Sequence, residues 1–263
     1  MTQTILPSVL ILMLIAGCTK NTGQTPAGGA SGGPKTPSTA AAARVPSSRL
    51  PAFSGEHSFT YLKAQTAFGP RNPNSPGHGA CLGYLESTLR TLADEVRLQE
   101  FTHTGYAGEQ LRLTNIIASF RPAEATRILV CAHWDTRPRA EQDETKGKRN
   151  DPILGANDGA SGVAVLLEIA RLLKETPPAI GVDIVLFDGE DYGKEGDHAS
   201  YLLGSRYFAE HKAEGYNPRF GILLDMVGDK FLELPREQYS MRYAPQVVDM
   251  VWKTAAFLGD YNG

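Results

Sequence analysis

ILVCAH (128–133) and VDIVLF (182–187) are nearly continuous apolar runs, each the length of one strand, with an amphipathic segment between them. Runs that do not alternate apolar with polar suit strands buried on both faces of a sheet. Residues 135–152 are a loop rich in Asp, Glu, Lys and Arg. Residues 159–174 then carry Val163, Leu166, Leu167, Ala170 and Leu173 at helical spacing, which predicts a helix with one face inward. The reading extends outward from this strand–helix–strand unit. Ser75-Pro76 supplies an N-cap and a first helical position for a helix to about Leu92, with Cys81, Leu82, Leu85 and Leu89 near helical spacing. Strands are expected at 96–102 and 112–120, upstream of ILVCAH. Downstream of VDIVLF come a Gly-rich loop, a helix at about 200–212, a strand at 220–225 and a helix at about 245–258. This alternation predicts an α/β domain with a mixed, mostly parallel central sheet and helices on both faces.

Composition agrees with one such domain plus extra segments. Of 263 residues, 41% are hydrophobic, enough for a sizeable core. Lys and Arg number 26 against 29 Asp and Glu, a net charge of −3, which leaves no electrostatic footprint for nucleic acid. Three cysteines (Cys18, Cys81, Cys131) are too few for a disulfide scaffold, and Cys81 and Cys131 read either as a pair or as buried thiols.

The N-terminus reads as a leader and a spacer. VLILMLIA (9–16) is much shorter than the roughly 20 residues a membrane-spanning helix needs, and has the length of a signal-peptide core. It runs into Ile15-Ala16-Gly17-Cys18, which resembles a bacterial lipoprotein cleavage box. Residues 1–18 are therefore expected to be a lipoprotein signal peptide, with lipidated Cys18 as the only membrane contact and the cell envelope as the location. No Lys or Arg stands in residues 2–8, where such a leader normally carries one. Of the 37 residues at 19–55, 28 are Gly, Pro, Ser, Thr or Ala, too little apolar surface to offset the entropy of ordering. That stretch is expected to be a flexible tether, with the domain over 56–263.

In α/β sheets ligands bind beyond the carboxyl ends of the strands, and acidic residues and a histidine gather there in this reading. His133 ends one strand, Glu190 and Asp191 follow another, Asp225 ends a third, and Asp158 opens the long helix. Each also has an ordinary reading. His133-x-Asp135 suits a metal-bound His with a carboxylate on its other ring nitrogen, or an Asp turn in a surface loop. Asp158 suits a ligand or an N-cap. Glu190 and Asp191 suit a division of labour between proton transfer and metal binding, or a solvated acidic turn. Asp225 follows the apolar FGILL, and a buried carboxylate is costly unless paired or metal-bound. Ser161 lacks the Gly-x-Ser-x-Gly elbow, and no phosphate-binding or dinucleotide motif is present. Trp134 suits either a pocket wall or the core. The residues alone support a metal-dependent α/β enzyme.

AHWDTRP (132–138), PILGANDGASGVAVLLEIAR (152–171), DIVLFDGEDYG (183–193), YLLGSRYFA (201–209) and GILLDMVGD (221–229), in that order, resemble the zinc aminopeptidase-like superfamily. FGPRNPNSPGH (68–78) and the wording HWDTRP and EDYG resemble its bacterial glutaminyl cyclases in particular. The resemblance covers about 58–230. It implies a zinc exopeptidase-like fold and a zinc-dependent conversion of N-terminal glutamine to pyroglutamate with release of ammonia, on peptide or protein N-termini. It implies Asp158 and Asp191 as zinc ligands, Glu190 as the proton shuttle, and Asp225 as the group that holds the substrate amine. Asp191 stands where Glu is more usual. In the aminopeptidases of the superfamily two zinc ions are bound, and His133 and Asp225 would hold the second. The family also uses a His near its C-terminus as a zinc ligand. No His lies beyond His211, so the chain reads as C-terminally truncated or its metal site as incomplete, with His198 out of place as a substitute. The alternatives to a cyclase are a di-zinc aminopeptidase and a non-catalytic remnant of the scaffold.

Overall fold

The computed structural model describes residues 51–194 and 196–259. The expected signal peptide and residues 19–50 of the expected tether lie outside the described residues.

Helix α1 spans Gly55–Ala67, α2 Pro76–Leu92, and strands β1 and β2 span Glu95–Thr104 and Gln110–Phe120. Strand β3 (Arg127–His133), α3 (Ala160–Glu175) and β4 (Gly181–Phe187) are the unit with which the sequence was read. Then come α4 (Leu203–Glu210), β5 (Gly221–Leu223), α5 (Gln238–Tyr243) and α6 (Pro245–Leu258).

The five strands lie in the order β1-β2-β4-β3-β5. Pairing is antiparallel from β1 to β2 and β2 to β4, and parallel from β4 to β3 and β3 to β5. The sheet is thus mixed as expected, but evenly so among the described residues rather than mostly parallel, because β1 and β2 join it antiparallel, and its parallel half is the half that carries the candidate site. Helices cover both faces. Leu85 and Leu89 of α2 and Val163, Leu166, Leu167 and Ala170 of α3 pack with Ile116, Ala118, Ile184 and Leu186 on one face. On the other, Ile117, Leu129, Cys131, Val185 and Phe187 pack with Phe208 of α4. Neighbouring residues along β2 and β4 therefore enter opposite cores, which is why these strands read as unbroken apolar runs.

Three local differences from the sequence reading have physical causes. The tether was expected to run through residue 55, but Ser54 and Gly55 are built into the domain. Ser54 caps α1 by accepting from the His57 N–H, and the Ser54 N–H donates to Glu168 Oε1 at 3.0 Å. Helix α1 itself was not expected. Its buried residues are Ser58 and Gln65, Gln65 Nε2 donates to the Ala160 carbonyl at 3.2 Å, and Tyr61 packs on the core, a single apolar contact that leaves no apolar period. The helix expected at 200–212 is shorter because Leu202, at φ +60°, sets its start.

Cys81 faces the α2–α3 core and Cys131 the α4 core, and both are free thiols. Trp134 is a core residue rather than a pocket wall, fully buried with Nε1 donating to the Thr114 carbonyl at 3.2 Å. Among the described residues no helix is long and apolar enough to cross a membrane.

Candidate metal centre

Strand register decides which loops meet. His133 lies opposite Phe187 of β4, and Cys131 lies opposite Leu223 of β5. The segments that follow β3, β4 and β5 therefore open at one edge. Helix α3 comes against the same edge, because Gly162 in its first turn packs on the Leu224 carbonyl, where a Cβ would collide.

His133, 2% exposed, is the centre of the resulting cluster. Its Nε2 lies 2.9 Å from Asp158 Oδ1 and 3.4 Å from Asp225 Oδ1. Its Nδ1 lies 3.4 Å from Asp135 Oδ1 and 3.9 Å from Glu190 Oε2. None of these approaches is aligned as a hydrogen bond, so both ring nitrogens and Asp225 Oδ1 are buried without a hydrogen-bond partner. Buried polar atoms are normally paired, and an unmet set of this kind calls for an ion or ligand.

The supporting residues explain how each group is aimed. Asp135, fully buried, accepts the Glu190 N–H on Oδ1 at 3.0 Å and the Asp191 N–H on Oδ2 at 3.1 Å. It is therefore an anchor for the acidic pair rather than a surface turn. Asp158 does not cap α3. The cap position is Gly159 at φ +92°, with no side-chain cap bond, which leaves the Asp158 carboxylate for other work. Behind Asp225, Met226 holds the left-handed conformation at φ +50°. Such a residue persists where its surroundings over-determine it. Here the Val227 N–H donates to Ser161 Oγ at 3.0 Å and the Gly228 N–H to Asn157 Oδ1 at 2.8 Å. Ser161 is thus a brace between two loops, in keeping with its rejection as a nucleophile.

Asp158, Asp225 and His133 each offer a ligand atom, and these atoms lie within 4.8 Å of one another. Asp191 lies outside that group. Its Oδ1 is 3.6 Å from Arg137 Nη1, and Arg137 in turn donates from Nη2 to the Tyr201 hydroxyl at 2.8 Å. Arg137 also lines a cavity of about 600 Å³ under the loop after β3, together with Arg139, Pro152 and Ile153. His198 is exposed and takes no part in the cluster.

The electrostatics follow from this crowding. Burial, reinforced by the carboxylates around it and only partly offset by His133, pushes Glu190 up to about 7. Burial and the nearby Asp158 push Asp191 up to about 9. Burial alone would lower His133, but Glu190, Asp135, Asp158 and Asp225 outweigh it and hold the imidazole well above its usual value. Burial would raise Asp158, yet its contact with His133, with Arg137 and Arg71 behind, leaves it below the usual range. Five carboxylates share one imidazole and two guanidinium groups, so the site is short of positive charge. A divalent cation on an imidazole-and-carboxylate donor set meets that deficit, and the residues present fit a metal.

Sequence reasoning missed Arg71. Its guanidinium is fully buried and donates to three carbonyls: Nε to Trp134 at 3.1 Å, Nη1 to Leu154 at 2.8 Å and Nη2 to Gly155 at 2.7 Å. It thereby ties the end of β3 to the approach to Asp158. A single arginine more than sixty positions from its partners has no periodicity to betray it.

Residues 115–259 match the profile described as peptidase family M28. A glutaminyl-peptide cyclotransferase-like protein of Bos taurus is 30% identical over 149 residues, covering 53% of this chain and 37% of that protein. The glutaminyl cyclase of Bacteroides thetaiotaomicron, solved with N-acetylhistamine bound, is similar in structure with a TM-score of 0.78 at 44% identity, over 80% of this chain and 75% of that one. A zinc-dependent exopeptidase of Parabacteroides distasonis gives a TM-score of 0.78 at 42% identity, over 80% and 74%. The chain spans a third to a half of the length of the curated relatives it matches. The family resemblance and the fold class read from the sequence are both borne out.

Proposed function

Because this chain belongs to peptidase family M28, we propose that it converts the N-terminal glutamine of peptides to pyroglutamate with release of ammonia. The observation that carries the reading is the placement of Glu190, whose Oε2 lies 3.9 Å from His133 Nδ1 beside buried, unpartnered metal-ligand atoms. A carboxyl so placed can accept a proton and return it. Similarity to the bacterial glutaminyl cyclases supports cyclisation as the reaction.

The metal proposed is zinc, which Asp158 would hold with His133 beside it; the family resemblance adds Asp191, which here faces Arg137. Bound there, it would act as a Lewis acid on the γ-carboxamide carbonyl. The chain's own residues do the rest. Asp225, whose Oδ1 has no hydrogen-bond partner, accepts from the substrate α-amine and turns it toward the carboxamide carbon. The amine nitrogen bonds to that carbon, Glu190 takes the proton the amine loses, and the same proton goes to the departing nitrogen, which leaves as ammonia. Arg137 touches Asp191 and also lines the cavity beside it.

The test uses zinc-loaded full-length protein and a short peptide beginning with glutamine, with the product read by mass. Loss of one ammonia supports the proposal, and loss of the whole first residue refutes it. The second outcome is the di-zinc aminopeptidase reading, which the close grouping of His133, Asp158 and Asp225 favours. In that enzyme Glu190 would deprotonate the attacking water, and His133→Ala would remove one of two zinc ions. In the cyclase the same variant leaves zinc stoichiometry unchanged.

The leader supports a further reading, that Cys18 is lipidated and the domain is held at the cell envelope by it. The support is the apolar run at 9–16 leading into Ile15-Ala16-Gly17-Cys18. Failure of labelled palmitate to enter the protein refutes it.

A further inference from the structure

The acidic pair Glu190–Asp191 is held from one side by Asp135. From the other side it is held by a second buried carboxylate that the proposed reaction does not use. Asp188 is fully buried and stands two residues before Glu190, directly after β4. Its two oxygens both lie 2.9 Å from His78 Nε2, and Oδ2 also accepts the Thr114 N–H at 2.7 Å. The Asp188 N–H donates to Asn115 Oδ1 at 3.0 Å. Between this anchor and Glu190 lies only Gly189, at φ +68°, so the turn is short and its direction depends on where Asp188 is fixed.

His78 is the only cation-forming side chain in contact with Asp188 among the described residues. It comes from the first turns of α2, 110 positions away, is itself 5% exposed, and stacks on Trp134 at 4.4 Å between ring centroids. Trp134 joins His133 to Asp135 in the chain, and its backbone N–H donates to the Phe187 carbonyl at 3.0 Å. The ends of β3 and β4, two of the three strands that carry the cluster, therefore rest on His78, one through its ring face and the other through its Nε2. Burial pulls His78 down, but Asp188, with Asp135 behind it, outweighs that and holds the imidazole above its usual value.

We infer that His78 is a positioning residue for Glu190 and Asp191, acting through Asp188 on the turn that presents them. This rests on the reading that Glu190 and Asp191 work at the metal centre. Partners behind a metal site that orient its ligands typically cost about 10- to 100-fold in metal affinity or activity when removed.

The experiment compares full-length wild type, His78→Leu and His78→Gln. Three quantities are read: zinc affinity by competition with a chromophoric chelator, kcat and KM on a glutamine-initiated peptide, and the thermal midpoint. In His78→Leu zinc affinity falls at least about tenfold, and kcat falls while KM is held, since a displaced base is missed in the transition state. In His78→Gln, whose amide can still donate to Asp188, most of both losses is recovered. If the leucine variant does not fold, His78→Asn, whose shorter amide leaves room for a water against Asp188, carries the same expectation. A variant with a lowered thermal midpoint but wild-type zinc affinity and kcat overturns the inference, because His78 is then only structural. If the wild type releases no ammonia while His78→Leu still loses zinc affinity, the cyclase reading fails and the positioning role stands.

Discussion

Replacing Gly159 with alanine puts one methyl group beside the cluster, and its effects can be worked from the backbone. Gly159 sits at φ +92° and ψ −59°, between Asp158 and the first turn of α3. An L-residue there is strained whatever the space around it, at a cost of about 1–3 kcal/mol. A Cβ would also lie 2.7 Å from the Asp135 carbonyl oxygen and 3.3 Å from His133 Cε1. Relief to about 3.0 Å, a tight but tolerable contact, moves the Asp135 backbone and the α3 start apart by about 0.3 Å. Asp158 and His133 stand on opposite sides of that contact, so the shift is felt as misaligned ligands as well as lost stability. For a domain of about 200 residues, 1 kcal/mol moves Tm by about 2–4 °C, so the expected fall is about 2–12 °C. Gly79 and Gly83 in α2 are the controls. A Cβ at either meets nothing within 4 Å, and helical Gly→Ala should stabilise by about 0.5–1 kcal/mol. The assay is thermal unfolding of the three variants together with zinc titration. A Gly159→Ala protein that melts at or above the wild type refutes the strain argument. One that melts early yet binds zinc with wild-type affinity refutes the coupling to the ligands.

Glu190→Gln should retain bound zinc and lower kcat by about 100- to 10,000-fold, the usual worth of a proton shuttle; wild-type turnover in that variant would exclude the assigned role. Glu168 is held below its ordinary value of 4.5 chiefly by Arg171, and against the effect of burial by the Ser54 N–H. A depressed folded pKa gives stability that is present above the unfolded value and lost as pH falls through the folded one. Glu168→Gln should therefore be less stable than wild type at pH 7, with the gap closing below about pH 4, as read by denaturant unfolding across pH. Burial pushes Cys81 and Cys131 each up to about 12, so at pH 8 iodoacetamide should modify neither in native protein and both after denaturation. Peptide mapping that finds either native thiol alkylated, or a disulfide between them, contradicts this placement.

The sequence was most informative where the pattern is local. ILVCAH, VDIVLF and the α3 heptad-like face predicted β3, β4 and α3 to within a residue or two, because strand and helix periods are carried by neighbouring positions. The same strand ends pointed to His133, Glu190, Asp191 and Asp225, since chain order alone places them at carboxyl ends, and the start of the long helix pointed to Asp158. Helix α1 was invisible because it docks through Ser54, Gln65 and the lone Tyr61 rather than an apolar stripe.

By itself, then, the sequence determined the element order, the layered α/β class and the residue types at the strand ends. Only the tertiary structure decided how those residues are used. Register between β3, β4 and β5 brings His133, Asp158 and Asp225 within reach of one another and leaves Asp191 facing Arg137. Arg71 and His78 reach the site from the N-terminal segment, 63 and 110 positions away from the partners they hold. Periodicity records what a residue's neighbours need, whereas the aim of a ligand is set by hydrogen bonds to distant backbone, which no spacing encodes.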